Sequence, residues 1–289
     1  MPVTYELLRS VSADLYNRSL RKIPAETMAV LRKLELSESN PVARNTLAVM
    51  QASAQAAESK GFFVCSDAGV PVYSVKIGTR VQFEGPVKQA FVDGFADLVA
   101  TIQPPLLQHV TNPLTLERGH AGKDMPIVTY DVIDNADYVE ITCSPKALGS
   151  GRWAALEIFS FPTLAEIERY IMDVVIKAGA QHCPPVVIGV GIGGTFDYAA
   201  KIAKEAILRP HGTTNPEPIL ADMEARLCKA VNATGFGPMG TGGDSTAMAV
   251  HINYASGHGF TPVAVCFNCW INRRRSARIY NSGVVEQFE

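Results

Sequence analysis

The sequence has no long hydrophobic run and no excess of charge of one sign. None of its apolar stretches reaches the roughly 18 residues that a bilayer span needs, and no basic segment followed by an apolar one begins the chain, so neither a membrane nor export is expected. The formal net charge of −2 gives no reason to expect a nucleic acid or an anionic membrane as partner. Six cysteines in a chain of 289 residues without an export signal argue against a disulfide framework, so a reducing, cytoplasmic location is expected.

The pattern of apolar residues and turn formers predicts a mixed α+β fold. Apolar residues recur at helical spacing in two segments between Pro24 and Lys60, and again over 87–102, 163–179, 195–208 and 219–231. Short apolar runs predict strands over 61–64, 71–78, 127–132, 138–142, 185–191, 246–254 and 262–267. Because strands and helices do not alternate strictly, a doubly wound sheet is not expected. We predict largely antiparallel mixed sheets surrounded by helices, in a single large domain over 1–289 with 1–24 as a possible N-terminal extension.

Three cysteines lie in separate contexts that contain turn-forming residues. Cys65 begins the segment Cys-Ser-Asp-Ala-Gly, Cys143 begins Cys-Ser-Pro-Lys, and Cys183 begins Cys-Pro-Pro. Such neighbours favour side chains carried on loops. Three loop thiolates that meet at one point could hold three irons of a cubane cluster and leave a fourth iron open as a Lewis acid. The alternative is that each cysteine is simply a small buried apolar side chain.

A glycine-rich segment supports a competing hypothesis. Gly189–Gly194 matches the pattern G-x-G-x-x-G between a predicted strand and a predicted helix, where a pyrophosphate could approach the helix N-terminus. A dinucleotide-binding oxidoreductase would use such a loop. However, Arg209-Pro210 and further loop residues follow the helix in place of a second strand, and no acidic residue stands where the ribose would bind. Close packing of strand and helix would explain the same glycines.

Several sequence blocks occur together in the order of one known family. They are Cys65–Gly69, Gly122–Pro126, Cys143–Lys146 with Gly149-Ser150, Cys183–Thr195, Ala206–Pro210, Gly237–Gly240 and Cys269-Trp270 with Arg273-Arg274. From about residue 25 to the C-terminus the chain resembles the α subunit of class I iron–sulfur fumarases and L(+)-tartrate dehydratases. The resemblance implies a hydro-lyase that removes water from a 2-hydroxy dicarboxylic acid of the malate or L-tartrate type. It also implies a β subunit as partner, in an α2β2 assembly.

The same resemblance implies the residues of a metal centre and of acid–base catalysis. By position in the family's motifs, Cys65, Cys143 and Cys183 would bind a [4Fe–4S] cluster. Asp67, two residues after the first cysteine, matches the acidic residue that faces the substrate and would act as the acid or base.

Three further residues are candidates for contact with the substrate. Ser66 stands where the family has a glutamine, and its shorter hydroxyl offers fewer hydrogen-bond donors. Gly122 lies in a stretch that the resemblance places close to the substrate. Arg152 ends a Gly-Ser-Gly-Arg segment in place of the family's Gly-Ser-Glu-Asn, and could clamp a carboxylate or be solvated. These departures bear on which acid is the substrate more than on the chemistry.

The remaining polar and sulfur residues are interpreted as structural. Cys266 and Cys269 form a lone C-x-x-C, which without a second pair favours structural thiols. The run Arg273–Arg275 is interpreted as a solvated or subunit-facing edge. His182, next to a proposed ligand, is interpreted first as a hydrogen-bonded structural histidine.

Overall fold

The computed structural model describes residues 2–289 and confirms the predicted α+β class with mixed sheets. The helices are α1 (Tyr5–Arg21), α2 (Ala25–Ser37), α3 (Pro41–Lys60), α4 (Val87–Thr101), α5 (Leu148–Arg152), α6 (Leu164–Ala178), α7 (Phe196–Ala206) and α8 (Pro218–Ala233). The strands are β1 (Val3–Thr4), β2 (Val72–Gly78), β3 (Phe83–Glu84), β4 (Val110–Thr111), β5 (Arg118–Gly119), β6 (Ile127–Ile133), β7 (Tyr138–Cys143), β8 (Ala155–Ser160), β9 (Val186–Gly193), β10 (Ala247–Ala255), β11 (Phe260–Asn268), β12 (Arg275–Tyr280) and β13 (Val285–Phe288).

The chain divides into two compact units. The first unit contains the residues up to Pro24 together with Ala54–Ala147 and Arg273–Glu289, and the second contains Ala25–Ser53 and Leu148–Asn272. The extent predicted for a single domain, 1–289, stays a prediction. None of the helices described in residues 2–289 is long and apolar enough to cross a membrane.

The first unit is built on a five-stranded sheet in the order β13-β12-β7-β2-β6. Only the β2–β6 pair is parallel, and the other neighbours are antiparallel. Helix α1 begins where the Thr4 hydroxyl accepts a hydrogen bond from the Leu7 amide, a standard N-cap arrangement. The stretch 1–24, predicted as a possible extension, therefore carries a helix whose buried leucines belong to the core of this unit.

The second unit contains a four-stranded sheet in the order β10-β9-β11-β8. Strands β9 and β10 are parallel, whereas β11 runs antiparallel to both β9 and β8. Helix α6 starts with a capping box, in which the Thr163 hydroxyl and the Glu166 carboxylate each satisfy a backbone amide of the first turn. Ile188, Val265 and other apolar residues of the sheet form a core with α6 and α8.

Some predicted strands are absent and some observed ones were not predicted. The segment 61–64 is not a strand, and the Val64 amide instead donates to the Leu20 carbonyl at 2.9 Å. Strands β6 and β7 are present as predicted, but they form no hairpin because each pairs with a different side of β2. Three strands of the two sheets were not predicted. Strand β8 lies at the edge of the second sheet, and β12 and β13 extend one side of the first.

Candidate active site

The segments that carry Cys65 and Cys143 are joined within the first unit. Val70 and Lys146 exchange two backbone hydrogen bonds, of 2.9 and 3.0 Å. Gly69 lies against the same place with φ of +69°, and a Cβ there would stand 2.5 Å from the Lys146 carbonyl oxygen. Any other residue would have to push the two segments apart. The glycine of the Cys-Ser-Asp-Ala-Gly segment therefore permits the close approach of two proposed ligand segments.

Cys143 is the last residue of β7 and is fully buried. It pairs with Tyr73 on β2 and with Arg275 on β12, so the prediction of a loop position is wrong for this cysteine. Burial raises the pKa of the Cys143 thiol well above its usual range, and hydrogen bonds from Tyr73 and Ser19 and the charge of Arg273 oppose that rise. The strand end thus places a thiol in an apolar core with a cation near it.

Asp67 lies on the Cys65 loop beside a histidine. Its Oδ1 accepts a hydrogen bond from the Gly69 amide at 3.0 Å, and the Nε2 of His109 stands 3.7 Å from the same oxygen. The Asp67 and His109 side chains are 31% and 27% exposed, although Nε2 of His109 is itself buried. Nε2 of His109 has no hydrogen-bond partner within residues 2–289. A carboxylate and an imidazole side by side are suited to proton transfer.

The sequence analysis did not single out His109. It lies between Leu106 and β4 with no motif around it, and its neighbour Asp67 is distant in sequence. Only the tertiary structure brings the two together. The one available signal was the residue type itself, because histidine is the side chain that exchanges protons most readily near neutral pH.

A cavity of about 860 Å³ opens in the first unit along the segment from His109 to Met125. This volume is in the usual range for small-molecule sites. Gly122, predicted to contact the substrate, lines it together with His109, and both charge signs are present through Arg118, Lys123, Glu117 and Asp124. The structure therefore places one predicted substrate residue and the unpredicted histidine around the same cavity.

The other two substrate candidates lie elsewhere. Ser66 is exposed and lines a smaller cavity of about 330 Å³ with Phe62 and Leu106. Arg152 belongs to the second unit, where its guanidinium lies over the Trp153 ring at 5.2 Å beside a cavity of about 460 Å³. Their contact with a substrate stays a prediction.

Cys183 lies on a half-buried loop between α6 and β9 in the second unit, as the sequence predicts. Its φ is +59°, and its carbonyl accepts a hydrogen bond from the Trp270 amide at 3.1 Å. The Met239 amide donates to the Pro184 carbonyl at 2.9 Å. Two sequence blocks far along the chain, around Met239 and Trp270, thus serve to hold the Cys183 loop.

His182 is fully buried beside this loop, and its ring lies 4.9 Å from that of Phe267. Neither ring nitrogen has a hydrogen-bond partner in the described part of the chain, so the interpretation as a hydrogen-bonded structural histidine is wrong. Burial lowers the pKa of His182 to about 4, which keeps the ring neutral near pH 7.

The glycine-rich segment is used for packing. A Cβ at Gly189 would stand 2.3 Å from the Ala203 carbonyl oxygen, and one at Gly191 would stand 2.0 Å from that of Ala199. Both carbonyls belong to α7, so these two glycines allow the helix to lie directly on β9. The glycines have a structural reason that needs no dinucleotide.

The arginine run is buried, and the prediction of a solvated edge is wrong. Arg273, Arg274 and Arg275 are only 4%, 2% and 1% exposed. Backbone carbonyls take the place of water at two of them: Nη2 of Arg273 donates to the Asp67 carbonyl at 2.7 Å, and Nη2 of Arg275 donates to the Lys22 carbonyl at 3.1 Å. Cys266, by contrast, is buried in β11 as expected for a structural thiol.

The three proposed ligands are divided between the units, with Cys65 and Cys143 in the first and Cys183 in the second. Across residues 2–289, no three His, Cys, Asp or Glu side chains are placed to hold a single metal ion. A cubane cluster does not need such a group, since each cysteine would bind a different iron. Thiolates are the ligands that iron–sulfur clusters require. Separately, Nη1 of Arg273 is a buried hydrogen-bond donor without a partner among the described residues. The thiolate donor type suits the cluster, whereas the full burial of Cys143 in the apolar core of the first unit leaves no open space beside that thiol, and the ligand set stays a prediction.

Comparison with known proteins decides the family. The sequence model of the fumarate hydratase (Fumerase) family matches residues 9–278. The chain belongs to this family. One relative is a protein of Methanocaldococcus jannaschii that is provisionally named L(+)-tartrate dehydratase subunit alpha. It is 32% identical to this chain over 94% of the chain and 97% of its own length. The L(+)-tartrate dehydratase subunit alpha of Escherichia coli K12 is 29% identical over 90% of the chain and 86% of its own length. Family membership confirms the predicted hydro-lyase class.

Proposed function

We propose that this chain is the α subunit of a [4Fe–4S]-dependent hydro-lyase of the cytoplasm. The enzyme reversibly removes water from a 2-hydroxy dicarboxylic acid of the malate or L-tartrate type, and neither nucleic acid nor membrane takes part. A β subunit completes it, in an α2β2 assembly. The family match and the relatives named as α subunits support this assignment.

One observation carries the proposal most directly. The loop with Cys65 and Asp67 is hydrogen-bonded to the segment that follows Cys143, so that two proposed ligands and the proposed acid or base belong to one locally rigid arrangement. The backbone pairing at Val70 and Lys146 makes this arrangement independent of side-chain rotamers. A site that removes a proton next to a bound hydroxyl requires such fixed spacing.

Cys65, Cys143 and Cys183 would hold the cluster by their thiolates. When bound, the cluster supplies an iron with an open position, which acts as a Lewis acid toward the substrate hydroxyl and makes hydroxide a better leaving group. The polypeptide's part is to exclude water around the thiolates and to keep their segments together. The amides of Met239 and Trp270, which donate to carbonyls of the Cys183 loop, would keep that segment in place.

Asp67 would move the proton on the carbon next to the leaving group. The Gly69 amide donates a hydrogen bond to its Oδ1, and His109, whose Nε2 lies 3.7 Å from the same oxygen, would exchange a proton with it. Gly122, on the wall of the cavity next to His109, leaves the backbone accessible to a dicarboxylate. Ser66 and Arg152 are proposed as further contacts for the substrate carboxylates.

The experiment is a parallel assay of two substrates. The chain, expressed anaerobically with its partner subunit, is tested for dehydration of L-malate and of L-tartrate. We expect turnover of one of them, inactivation by oxygen, and recovery with ferrous iron and thiol. Activity that is stable in air would contradict the proposal. Quenching of nicotinamide fluorescence by the protein would instead support the dinucleotide hypothesis, which no structural observation favours.

A further inference from the structure

The cavity of about 860 Å³ in the first unit is lined by two acidic side chains that already have partners. The Asp124 carboxylate accepts a hydrogen bond from the Lys88 ammonium at 3.0 Å, which lowers the pKa of that carboxyl. The Glu117 carboxylate accepts a hydrogen bond from the Thr115 hydroxyl, also at 3.0 Å. Lys88 and Thr115 do not line the cavity. Both acidic groups of the lining are thus held by donors that lie outside it.

The same lining contains two cations that have no such partner. Neither the Arg118 guanidinium nor the Lys123 ammonium makes a side-chain hydrogen bond or an ion pair within residues 2–289. Both side chains are exposed, so the water around them can be exchanged for a ligand. A cleft whose uncompensated charge is positive attracts anions and raises their local concentration. The charge of this cavity therefore favours a negatively charged ligand.

Contacts at Val110 bring the two cations to one part of the cavity. Gly119, which follows Arg118, pairs with Val110 in the β4–β5 ladder. A Cβ at Gly122, which precedes Lys123, would stand 2.8 Å from Cγ1 of Val110. A side chain at Gly122 would push the loop that carries Lys123 away from the hairpin. Each cation is thus next in sequence to a glycine that lies against the same valine.

The proposed proton-transfer pair lies at the same hairpin. His109 precedes Val110 and lines the cavity, and its Nε2 stands 3.7 Å from Oδ1 of Asp67. A ligand that reaches both places needs an anionic group at some distance from the carbon that loses the proton. An acid of the malate or L-tartrate type has such a group, because it carries a carboxylate at each end of its carbon chain. The arrangement therefore fits a dicarboxylate better than a monocarboxylate.

We propose that Arg118 and Lys123 bind one carboxylate of the substrate and thereby select dicarboxylic over monocarboxylic acids. The inference rests on the proposed function, from which it takes the class of substrate. Guanidinium offers two parallel donors that match the two oxygens of a carboxylate, and ammonium adds a compact charge. The two cations determine specificity and take no part in the proton transfer assigned to Asp67 and His109.

The first experiment compares Arg118→Gln, Lys123→Gln and the double variant with wild type, each in the complex with the partner subunit. The substrate is whichever of L-malate and L-tartrate is turned over. We expect KM to rise about 10- to 100-fold in Arg118→Gln, with a smaller rise in Lys123→Gln and nearly unchanged kcat, because a charged hydrogen bond of the bound substrate is lost. Arg80→Gln is the matched control and should match wild type, since Arg80 is exposed in the same unit and does not line the cavity.

Inhibitors test the selection for a second carboxylate in the same variants. Succinate, with two carboxylates, should lose affinity by the same factor by which KM rises. Butyrate has the same number of carbons and only one carboxylate, so it should inhibit wild type and variants equally.

A second measurement needs no turnover. Succinate should protect Lys123 of the wild-type complex from acetylation, which mass spectrometry follows residue by residue. At ten times its dissociation constant succinate should slow the modification about tenfold, because about a tenth of the sites stay empty. Lys60, exposed at the end of α3 and outside the cavity, should be acetylated at the same rate with and without succinate.

Several outcomes would overturn the inference and leave the proposed function intact. They are turnover with wild-type KM in the double variant, a fall of kcat at unchanged KM in Arg118→Gln, and an equal loss of affinity for succinate and butyrate. If neither acid is turned over by wild type, the proposed function fails and acetylation decides the inference. Slower modification of Lys123 with succinate would then keep the dicarboxylate site, and an unchanged rate would remove it.

Discussion

The two units hold their proposed ligands in opposite ways. Cys143 ends a central strand of the first sheet and is fully buried between strand partners. Cys183 lies in the second unit on a half-buried loop with φ of +59°, held by amides from Met239 and Trp270. The first position is set by the register of a sheet, and the second by a turn. The same proposed chemical role therefore depends on the hydrophobic core in one unit and on local backbone hydrogen bonds in the other.

The largest effects should come from replacing these two cysteines. Cys143→Ser and Cys183→Ser should both abolish activity and cluster binding, since serine is a poor ligand for the cluster's iron. Only Cys143→Ser should also destabilise the metal-free chain, by about 1–3 kcal/mol, because it replaces a fully buried thiol with a smaller and more polar hydroxyl. Denaturant unfolding of the metal-free variants measures this difference. Cys228→Ser in α8 is the control and should keep the activity of wild type. Equal losses of stability in Cys143→Ser and Cys183→Ser would contradict the difference between the two units.

Asp67→Asn should give the next largest effect. We expect activity to fall by about 10²- to 10⁴-fold while the cluster's visible absorbance is kept, because the amide cannot accept or donate the proton. Steady-state assays and absorbance of the same sample measure both. Asp134→Asn, in the turn after β6, should leave both unchanged. Retained activity in Asp67→Asn would remove this residue from the proton transfer.

His109→Gln tests the histidine that the structure places beside Asp67. We expect kcat to fall by about tenfold with a smaller change of KM, because the glutamine keeps the polar contact and loses the proton exchange. Kinetics over a range of substrate concentration separate the two constants. A rise of KM alone would instead make His109 a residue of the cavity wall.

Gly69→Ala should weaken the link between the two segments of the first unit. A Cβ would stand 2.5 Å from the Lys146 carbonyl oxygen at φ of +69°, so both a clash and backbone strain are expected. Gly235→Ala in the second unit is the matched control, since Gly235 has φ of +70° and no atom within 4 Å of its Cβ position. We expect Gly69→Ala to lower the unfolding free energy by about 1–3 kcal/mol more than the control. Equal losses of unfolding free energy in the two variants would show that the cost comes from the positive φ alone and not from the clash with Lys146.

Thr163→Ala should have the smallest effect and none on chemistry. It removes the capping box of α6 in the second unit, which should cost about 1 kcal/mol of stability. Thermal unfolding measures the loss, and kcat should be that of wild type. A loss of activity without a loss of stability would show that α6 influences the site.

The sequence predicts the elements that follow a regular apolar period. Helices α2, α3, α4, α6, α7 and α8 and strands β9, β10 and β11 lie where apolar spacing placed them. The hydrophobic face or run of each is decided locally, so the pattern is sufficient. Strand β12 is different, because it begins with Arg275, whose buried guanidinium donates to the carbonyl of the distant residue Lys22.

The sequence indicated the cysteines, Asp67 and Gly122 of the candidate site. Arg273 and His109 carry no local signal, since their partners lie far away in sequence and a charged run ordinarily indicates a solvated face. The buried position of Cys143 was also hidden, because the proline that follows it resembles a loop signal. Side chains that act through tertiary contacts need the fold before their role can be seen.

The most direct test of the central claim is the iron and sulfide content of the anaerobically prepared complex with the partner subunit. About four irons and four sulfides per chain, lost together in Cys65→Ser, Cys143→Ser and Cys183→Ser, would show that all three cysteines are needed to hold the cluster. A folded wild-type protein without iron and sulfide would contradict the account. So would a cluster that persists when Cys183 is replaced.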